Sequence, residues 1–92
     1  MRKAEIVADV VAAADISERK ADEAVSAVFE QITNALARGE TVSLVGFGSF
    51  TVKDRAARTG RHPQTGAELQ IPASRYPLFK AGKMLKDAVN KP

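Results

Sequence analysis

The sequence contains 92 residues, of which 45% are hydrophobic, and it has no cysteine. This length allows one domain at most. The sequence contains no run of about 18 apolar residues, so no transmembrane helix is predicted. The lack of cysteine excludes disulfides and thiolate metal sites and is typical of a reducing compartment, so we expect a cytoplasmic protein without a membrane partner.

Charge is distributed unevenly along the chain, although the formal net charge is only +3. Residues 1–52 carry five basic and eight acidic side chains, whereas residues 53–92 carry nine basic and three acidic ones. Such an asymmetry between the two halves indicates either a polyanionic partner or a solvated basic face. Charge alone does not distinguish these two interpretations.

Two helices are predicted at the start of the chain. Apolar residues follow helical spacing from Lys3 to Ala14, and a second apolar stripe runs from Ala21 to Leu36. Ser17 is a favourable N-cap for the second helix, and Gly39 is suited to end it. Because the link between the helices is short, we expect them to pack as an antiparallel hairpin.

The periodicity becomes that of β-structure after the second helix. Alternating apolar residues in TVSLVGFGSFTV, residues 41–52, predict a β-hairpin with Gly46 and Gly48 at its turn. Phe47 lies between these glycines, where we expect it to cover the core or to contact a partner subunit.

Residues 53–75 contain little that could drive burial, and they predict a long hairpin arm. In the tip, HPQTG, Pro63 fits the second position of a β-turn and Gly66 can supply a positive φ. Leu69 and Ile71 alternate with polar residues in the returning strand, and Pro72 is compatible only with a strand edge. Since an isolated hairpin is marginally stable in water, we expect the arm to be mobile.

The end of the chain predicts a third strand and a short helix. The strand lies in SRYPLF, residues 74–79, where Tyr76 and Phe79 are packing residues. The helix lies in AGKMLKDAV, residues 81–89, and it should bury its apolar side chains, namely Met84, Leu85, Ala88 and Val89.

Without the arm, about 70 residues remain to form a core, which is at the margin of self-sufficiency. We therefore predict an obligate dimer in which two half-cores merge. The residues predicted to form the dimer core are Phe29, Leu44, Phe47, Phe50 and Phe79.

The sequence offers little material for catalysis. Its single histidine, His62, lies on a predicted exposed tip, where a general base would be solvated and unpositioned. The glycines at 46 and 48 begin a GxGxxG pattern that Thr51 interrupts, and Gly82-Lys83 lacks the Ser or Thr that completes a P-loop. We therefore predict that the protein is not an enzyme and binds neither a metal nor a cofactor.

The arm carries side chains that suit a nucleic acid. Lys53, Arg55, Arg58 and Arg61 follow one another with a single opposing acid, and arginine suits both phosphates and a narrow minor groove. These residues could instead keep an exposed hairpin soluble, and Pro63 could be a turn former or a wedge between base pairs. The basic ribbon and its proline together favour DNA.

Three segments, LVGFGSF, RAARTGRHPQTG and FKAGKMLKDAV, are similar to the bacterial HU and integration host factor family. The resemblance covers essentially the whole chain and implies an α+β fold: an intertwined dimer with a helical-hairpin base, a small antiparallel sheet, a long β-ribbon arm and a short C-terminal helix. Residues 1–92 would form one HU-like domain, with a dimerisation body (1–52), a DNA-binding arm (53–75) and the end of the third strand with the C-terminal helix (76–92).

The resemblance also implies a function. The protein would be a histone-like architectural protein that binds double-stranded DNA with low sequence specificity through the minor groove. It would bend DNA by inserting arm-tip prolines, prefer nicked, gapped or bent sites, and organise or compact the nucleoid in the cytoplasm. It would act as a homodimer, or as a heterodimer with a paralogue.

Residue roles follow from the same resemblance. Pro63 matches the family's intercalating proline, and the turn at residues 46–48 matches the one that shapes the dimer saddle. The residues implied to contact DNA are Lys3, Lys53, Arg55, Arg58, Arg61, His62, Pro63, Gln64, Thr65, Arg75, Lys80, Lys83 and Lys86.

His62 departs from the family pattern, which usually has Asn and sometimes Lys before the wedge. Because histidine changes its charge between about pH 5 and pH 8, we expect different hydrogen bonding at the tip and a mild pH dependence of binding. Equal affinity of the native protein and His62→Asn at low and high pH would contradict this expectation.

Three alternatives remain open at this stage. The chain could be a sequence-specific DNA-bending protein of the integration host factor kind, although FKAGK is more similar to HU. It could be a protein-interaction scaffold whose basic arm holds an acidic partner. RNA is a further candidate ligand, but a groove-embracing wedge suits bendable B-form DNA better than A-form RNA.

Overall fold

The structure is a computed structural model that describes residues 1–91. No helix in this range is both long and apolar enough to span a bilayer. The elements follow one another as α1 (Lys3–Ala14), α2 (Glu18–Ala37), β1 (Val42–Leu44), β2 (Gly48–Arg55), β3 (Arg58–Arg61), β4 (Glu68–Ile71), β5 (Ser74–Ala81) and α3 (Lys83–Val89).

The helical hairpin forms as the sequence predicts. The Ser17 hydroxyl accepts a hydrogen bond from the Lys20 backbone N–H at 3.1 Å and caps α2. Gly39 follows the last turn of α2 with φ +82°, the left-handed conformation that favours glycine at a helix end. Between the helices lie the buried side chains of the described residues, which are Val7, Ala21 and Val25.

A three-stranded antiparallel sheet with the order β1-β2-β5 lies next to this hairpin. The pairing of β2 with β5 is continuous over eight residues, from Gly48 opposite Ala81 to Arg55 opposite Ser74. The prediction that Gly48 belongs to the turn is wrong: Gly48 begins β2, and the turn is formed by residues 45–47. A Cβ on Gly48 would lie 2.6 Å from the Lys80 carbonyl oxygen, so close strand contact requires glycine here.

The arm is a separate two-stranded ribbon formed by β3 and β4. Its register runs from Arg58 opposite Ile71 to Arg61 opposite Glu68. Residues 56–57 and 72–73 lie outside the strands, so the ladder is interrupted between the ribbon and the three-stranded sheet.

The predicted burial of the C-terminal helix is mostly wrong for the single chain. Met84 and Val89 are 71% and 76% exposed, Ala88 is also exposed, and only Leu85 is half-buried. The helix is attached to the body mainly by its first turn, where the Leu85 N–H donates to the Gly46 carbonyl at 3.2 Å. A seven-residue helix held at one end leaves its remaining apolar side chains uncovered.

The single chain forms only half of a core. Phe29, Leu44 and Phe47 are 40–48% exposed and line an open apolar groove of about 480 Å³ between α2 and the sheet. Phe79 is 40% exposed and packs against Phe47 and Phe50, which also line the groove. The radius of gyration is 19.0 Å, whereas a compact chain of this length has about 12 Å. Exposed aromatic surface on this scale is typical of a chain that folds together with a second copy.

Candidate nucleic-acid interface

The β2–β5 sheet has one apolar face and one basic face. Side chains alternate along a strand, and the register places Phe50 opposite Phe79 and Val52 opposite Pro77 on the face towards α2. The other face is polar apart from one exposed leucine. It consists of Ser49, Thr51, Lys53, Arg55, Ser74, Tyr76, Leu78 and Lys80.

Three of the predicted DNA-binding residues share this basic face: Lys53, Arg55 and Lys80. The Arg55 guanidinium carbon lies 4.8 Å from the centre of the Tyr76 ring, an arrangement in which the ring attracts the cation and orients it. The three cations therefore line one surface that leads from the body to the base of the arm.

Arg75 does not belong to this surface. It lies on the face towards α2, and its Nε is 3.7 Å from the Asp54 carboxylate. A Cβ on Gly39, at the end of α2, would lie 3.1 Å from its Nη2. Arg75 therefore lies close to the C-terminal end of α2.

The arm presents positive charge on both of its faces. Arg58 and Arg61 are three residues apart in β3, so their side chains lie on opposite faces of the ribbon. On the Arg58 face, a Cβ on Gly60 would approach the Ile71 Cδ1 to 3.0 Å. A ribbon with this arrangement can contact both walls of a groove at once.

The tip reverses the chain between His62 and Ala67. The His62 N–H donates to the Ala67 carbonyl, and the Gly66 N–H donates to the His62 carbonyl, each at 2.8 Å. Gly66 has φ +72° as predicted. Pro63 is the second residue of a turn that is one residue longer than the β-turn predicted, and its side chain is exposed.

Side chains brace this turn from within. The His62 Nδ1 accepts a hydrogen bond from the Gln64 backbone N–H at 3.2 Å, and the Thr65 hydroxyl accepts one from the Ala67 N–H at 3.3 Å. The Arg61 Nη1, at the end of β3, donates to the Gly66 carbonyl at 3.2 Å. Together with the backbone bonds, they hold the proline at the end of the arm.

Two of the predicted body lysines are engaged in exposed contacts. The Lys3 Nζ donates to the Ser26 hydroxyl at 2.7 Å and lies 3.5 Å from Asp22. The Lys83 Nζ lies 2.8 Å from Asp87. Exposed ion pairs contribute about 0–1 kcal/mol, so a phosphate can readily replace either carboxylate.

Nearly the whole chain matches a family of proteins. Residues 1–90 match the model of a family described as bacterial DNA-binding protein. This chain belongs to that family.

The family's relatives include several HU proteins. The DNA-binding protein HU of Staphylococcus aureus strain COL is 57% identical, over 97% of this chain and 99% of that protein. The DNA-binding protein HU-beta of Serratia marcescens is 53% identical, over 98% of this chain and 100% of that protein.

Solved structures of the family have the same fold. The Anabaena HU–DNA cocrystal structure matches with a TM-score of 0.89 and 42% identity over 100% of both chains. HU from Thermotoga maritima matches with a TM-score of 0.68 and 31% identity, over 98% of this chain and 100% of that chain. The predicted family, the α+β fold of an intertwined dimer and the histone-like DNA-binding role are confirmed by these matches.

Some features of this candidate interface were not predicted from the sequence. Tyr76 was predicted only to pack, because its place beneath Arg55 depends on the register of two strands that are distant in sequence. The partner of Lys83 could have been found, since Asp87 lies four residues further along the same helix. The Lys3–Asp22 contact needs the packing of α1 on α2 and has no local signal.

Proposed function

We propose that this chain acts as a dimer that binds duplex DNA through the minor groove, with low sequence specificity, and bends it. The observation that carries the proposal is an exposed proline at the end of a two-stranded ribbon whose arginines lie on both faces. Proline is among the residues that proteins insert between base steps, which unstacks the bases and kinks the duplex. Pro63 of each subunit is the proposed wedge.

Each part of the basic surface has a place in this proposal. The arm arginines, Arg58 and Arg61, contact the groove and its walls, while the basic face of the sheet contacts phosphates at the base of the arm. The lysines of the body, Lys3, Lys83 and Lys86, contact phosphates of the flanking DNA once it is bent back. At the tip, His62, Gln64 and Thr65 flank the wedge.

Low sequence specificity follows from the kinds of contact available. Phosphate contacts carry no sequence information, and the minor groove distinguishes little more than A·T from G·C pairs. Nicked, gapped and flexible sites should bind better because their deformation costs less free energy.

The proposed role requires neither a catalysed reaction nor a cofactor. The family is one of DNA-binding proteins and not an enzyme family. A protein that organises the chromosome in this way acts in the cytoplasm on the nucleoid, as a homodimer or with a paralogue of the same fold.

The proposal is tested by titrating a short duplex, intact or with a central nick, at three salt concentrations. Anisotropy reports binding, and energy transfer between the duplex ends reports bending. We expect tighter binding to the nicked duplex, an affinity that falls steeply with salt, and a rise in transfer upon binding. Equal binding without a change in transfer would remove bending from the function. No binding to either duplex would overturn the proposal and favour an acidic protein or RNA as the partner.

A further inference from the structure

The imidazole at the arm tip takes part in the turn that carries the wedge. The His62 Nδ1 accepts from the Gln64 N–H at 3.2 Å, across the proline that lies between them. The backbone of the same residue closes the turn through Gly66 and Ala67. His62 is half-buried, whereas Pro63, Gln64 and Thr65 are exposed.

This hydrogen bond is possible in only one protonation state of Nδ1. A ring nitrogen accepts only when it carries no proton, so the imidazole that braces the turn is neutral, with its proton on Nε2. A histidinium has donors at both nitrogens, so its Nδ1–H would point at the Gln64 backbone N–H. The tip geometry therefore requires the neutral ring.

We propose that His62 is the positioning residue of the wedge, and that the neutral imidazole sets the turn that presents Pro63 to DNA. The inference rests on the proposed bending function and deepens it. Its consequence is that bending requires unprotonated His62, whereas binding does not. Loss of one net hydrogen bond lowers the ratio of formed to unformed turn by about fivefold.

Protonation should affect binding and bending in opposite directions. The charged groups nearest in the ribbon are Arg61, which donates to the Gly66 carbonyl, and Glu68, which is paired with Arg61 in the register. A histidinium adds a positive charge beside Arg61, which favours phosphate contact and steepens the salt dependence. The same proton removes the acceptor for the Gln64 N–H, which weakens the turn that carries the wedge.

Two variants separate positioning from charge. His62→Asn keeps an acceptor at the atom bonded to Cγ, as in an Asx turn, but it cannot be protonated. His62→Ala removes both the acceptor and the charge. Each is compared with the native protein at about pH 7.5 and about pH 5.5, a range that spans histidine protonation. Bending is read from end-to-end energy transfer in DNA saturated with protein, and affinity is read from anisotropy.

At the higher pH we expect the native protein and His62→Asn to bend DNA equally, and His62→Ala to bend it less. At the lower pH the native protein should lose bending without losing affinity, while His62→Asn should bend unchanged. Any one of three results would overturn the inference. They are native bending that does not depend on pH, equal bending by His62→Ala and the native protein, and a loss of bending by His62→Asn at the lower pH that equals the native loss. Pro63→Ala serves as the reference: if it bends DNA normally, the wedge function itself has failed, independently of His62.

The free protein offers a second measurement. Because the sequence has a single histidine, its ring nitrogens can be assigned without ambiguity by NMR. We expect the Nε2–H form at neutral pH, and a shift of the Gln64 amide proton that titrates together with the ring. A ring protonated on Nδ1 at neutral pH, or a Gln64 amide that does not respond, would contradict the inference.

Discussion

The helical body and the arm are stabilised in different ways. The body has helical and strand periodicity, a buried cluster between α1 and α2, and an aromatic groove that a second copy can cover. The arm has an exposed, basic ribbon, and its tip is held by hydrogen bonds of the backbone and of side chains to the backbone. Changes in the body should therefore affect the free energy of unfolding, whereas changes in the arm should affect DNA binding and bending at nearly constant stability.

The strongest test of this separation is in the body. Phe79 lies 4.8 Å from Phe50 and 5.6 Å from Phe47, measured between ring centres. Because a second copy should cover this cluster, Phe79→Ala should lower the free energy of unfolding by about 3–5 kcal/mol per subunit. Denaturation at several protein concentrations measures this loss and the weakening of the dimer.

Leu78→Ala is the matched control for this change. Leu78 is 44% exposed and Phe79 is 40% exposed in the single chain, but Leu78 lies on the basic face of the sheet. Leu78→Ala should therefore lower the free energy of unfolding far less than Phe79→Ala does. Equal losses for the two variants would show that the aromatic groove is not the dimer core.

In the arm, the largest effect should follow removal of the wedge. Pro63→Ala should abolish most of the bending but lower affinity by less than about tenfold, because phosphate contacts supply most of the binding free energy. End-to-end energy transfer and anisotropy on the same samples measure the two effects. Gln70→Ala changes an exposed residue of the same arm away from its tip and should leave bending intact. A normal bend with Pro63→Ala would exclude the wedge.

Replacing a single cation of the arm should have a smaller effect on DNA binding. Arg58→Ala should weaken binding to every sequence alike and reduce the salt slope by about one. Arg75→Ala is the matched control, because Arg75 lies on the face towards α2 beside Asp54. Titrations at several salt concentrations should give the native slope for Arg75→Ala. If Arg75→Ala reduced the salt slope and Arg58→Ala did not, the DNA would lie on the other face of the sheet.

The smallest effect concerns the lysine at the start of α3. Asp87→Asn frees Lys83 from a contact of 2.8 Å, so affinity for long duplexes should rise, by less than about fivefold for an exposed pair. Asp9→Asn makes the same change of charge on α1 without releasing Lys83. A rise of equal size in both variants would mean that net charge, and not the ion pair, is responsible.

The sequence predicted the elements of the body more completely than their contacts. The periodicities of α1 and α2, the Ser17 cap and the left-handed Gly39 are local features, and each is observed. The place of Gly48 depends on how closely β5 approaches it, which no local pattern reveals. The exposure of Met84 and Val89 depends on how α3 is attached to the body.

In the candidate site, too, local features could be predicted from the sequence, whereas contacts that depend on strand register could not. The basic arm and its proline can be read from composition and turn chemistry, because both act through exposed residues that are close in sequence. The separation of Arg75 from Lys53 and Arg55 requires the register of β2 and β5. The bond from the Gln64 N–H to His62 could not be predicted, since a histidine in a turn has no fixed partner.

The interruption between the ribbon and the sheet has a mechanical consequence. Two residues on each strand, 56–57 and 72–73, fall outside the ladder at the same level, and Pro72 has no N–H with which to continue it. We expect these two unpaired connections to act as a hinge about which the arm swings while its tip keeps its own geometry. If so, one protein would fit grooves of different width and hold DNA at a range of curvatures, and the stiffness of each DNA segment would help to set the shape of the complex.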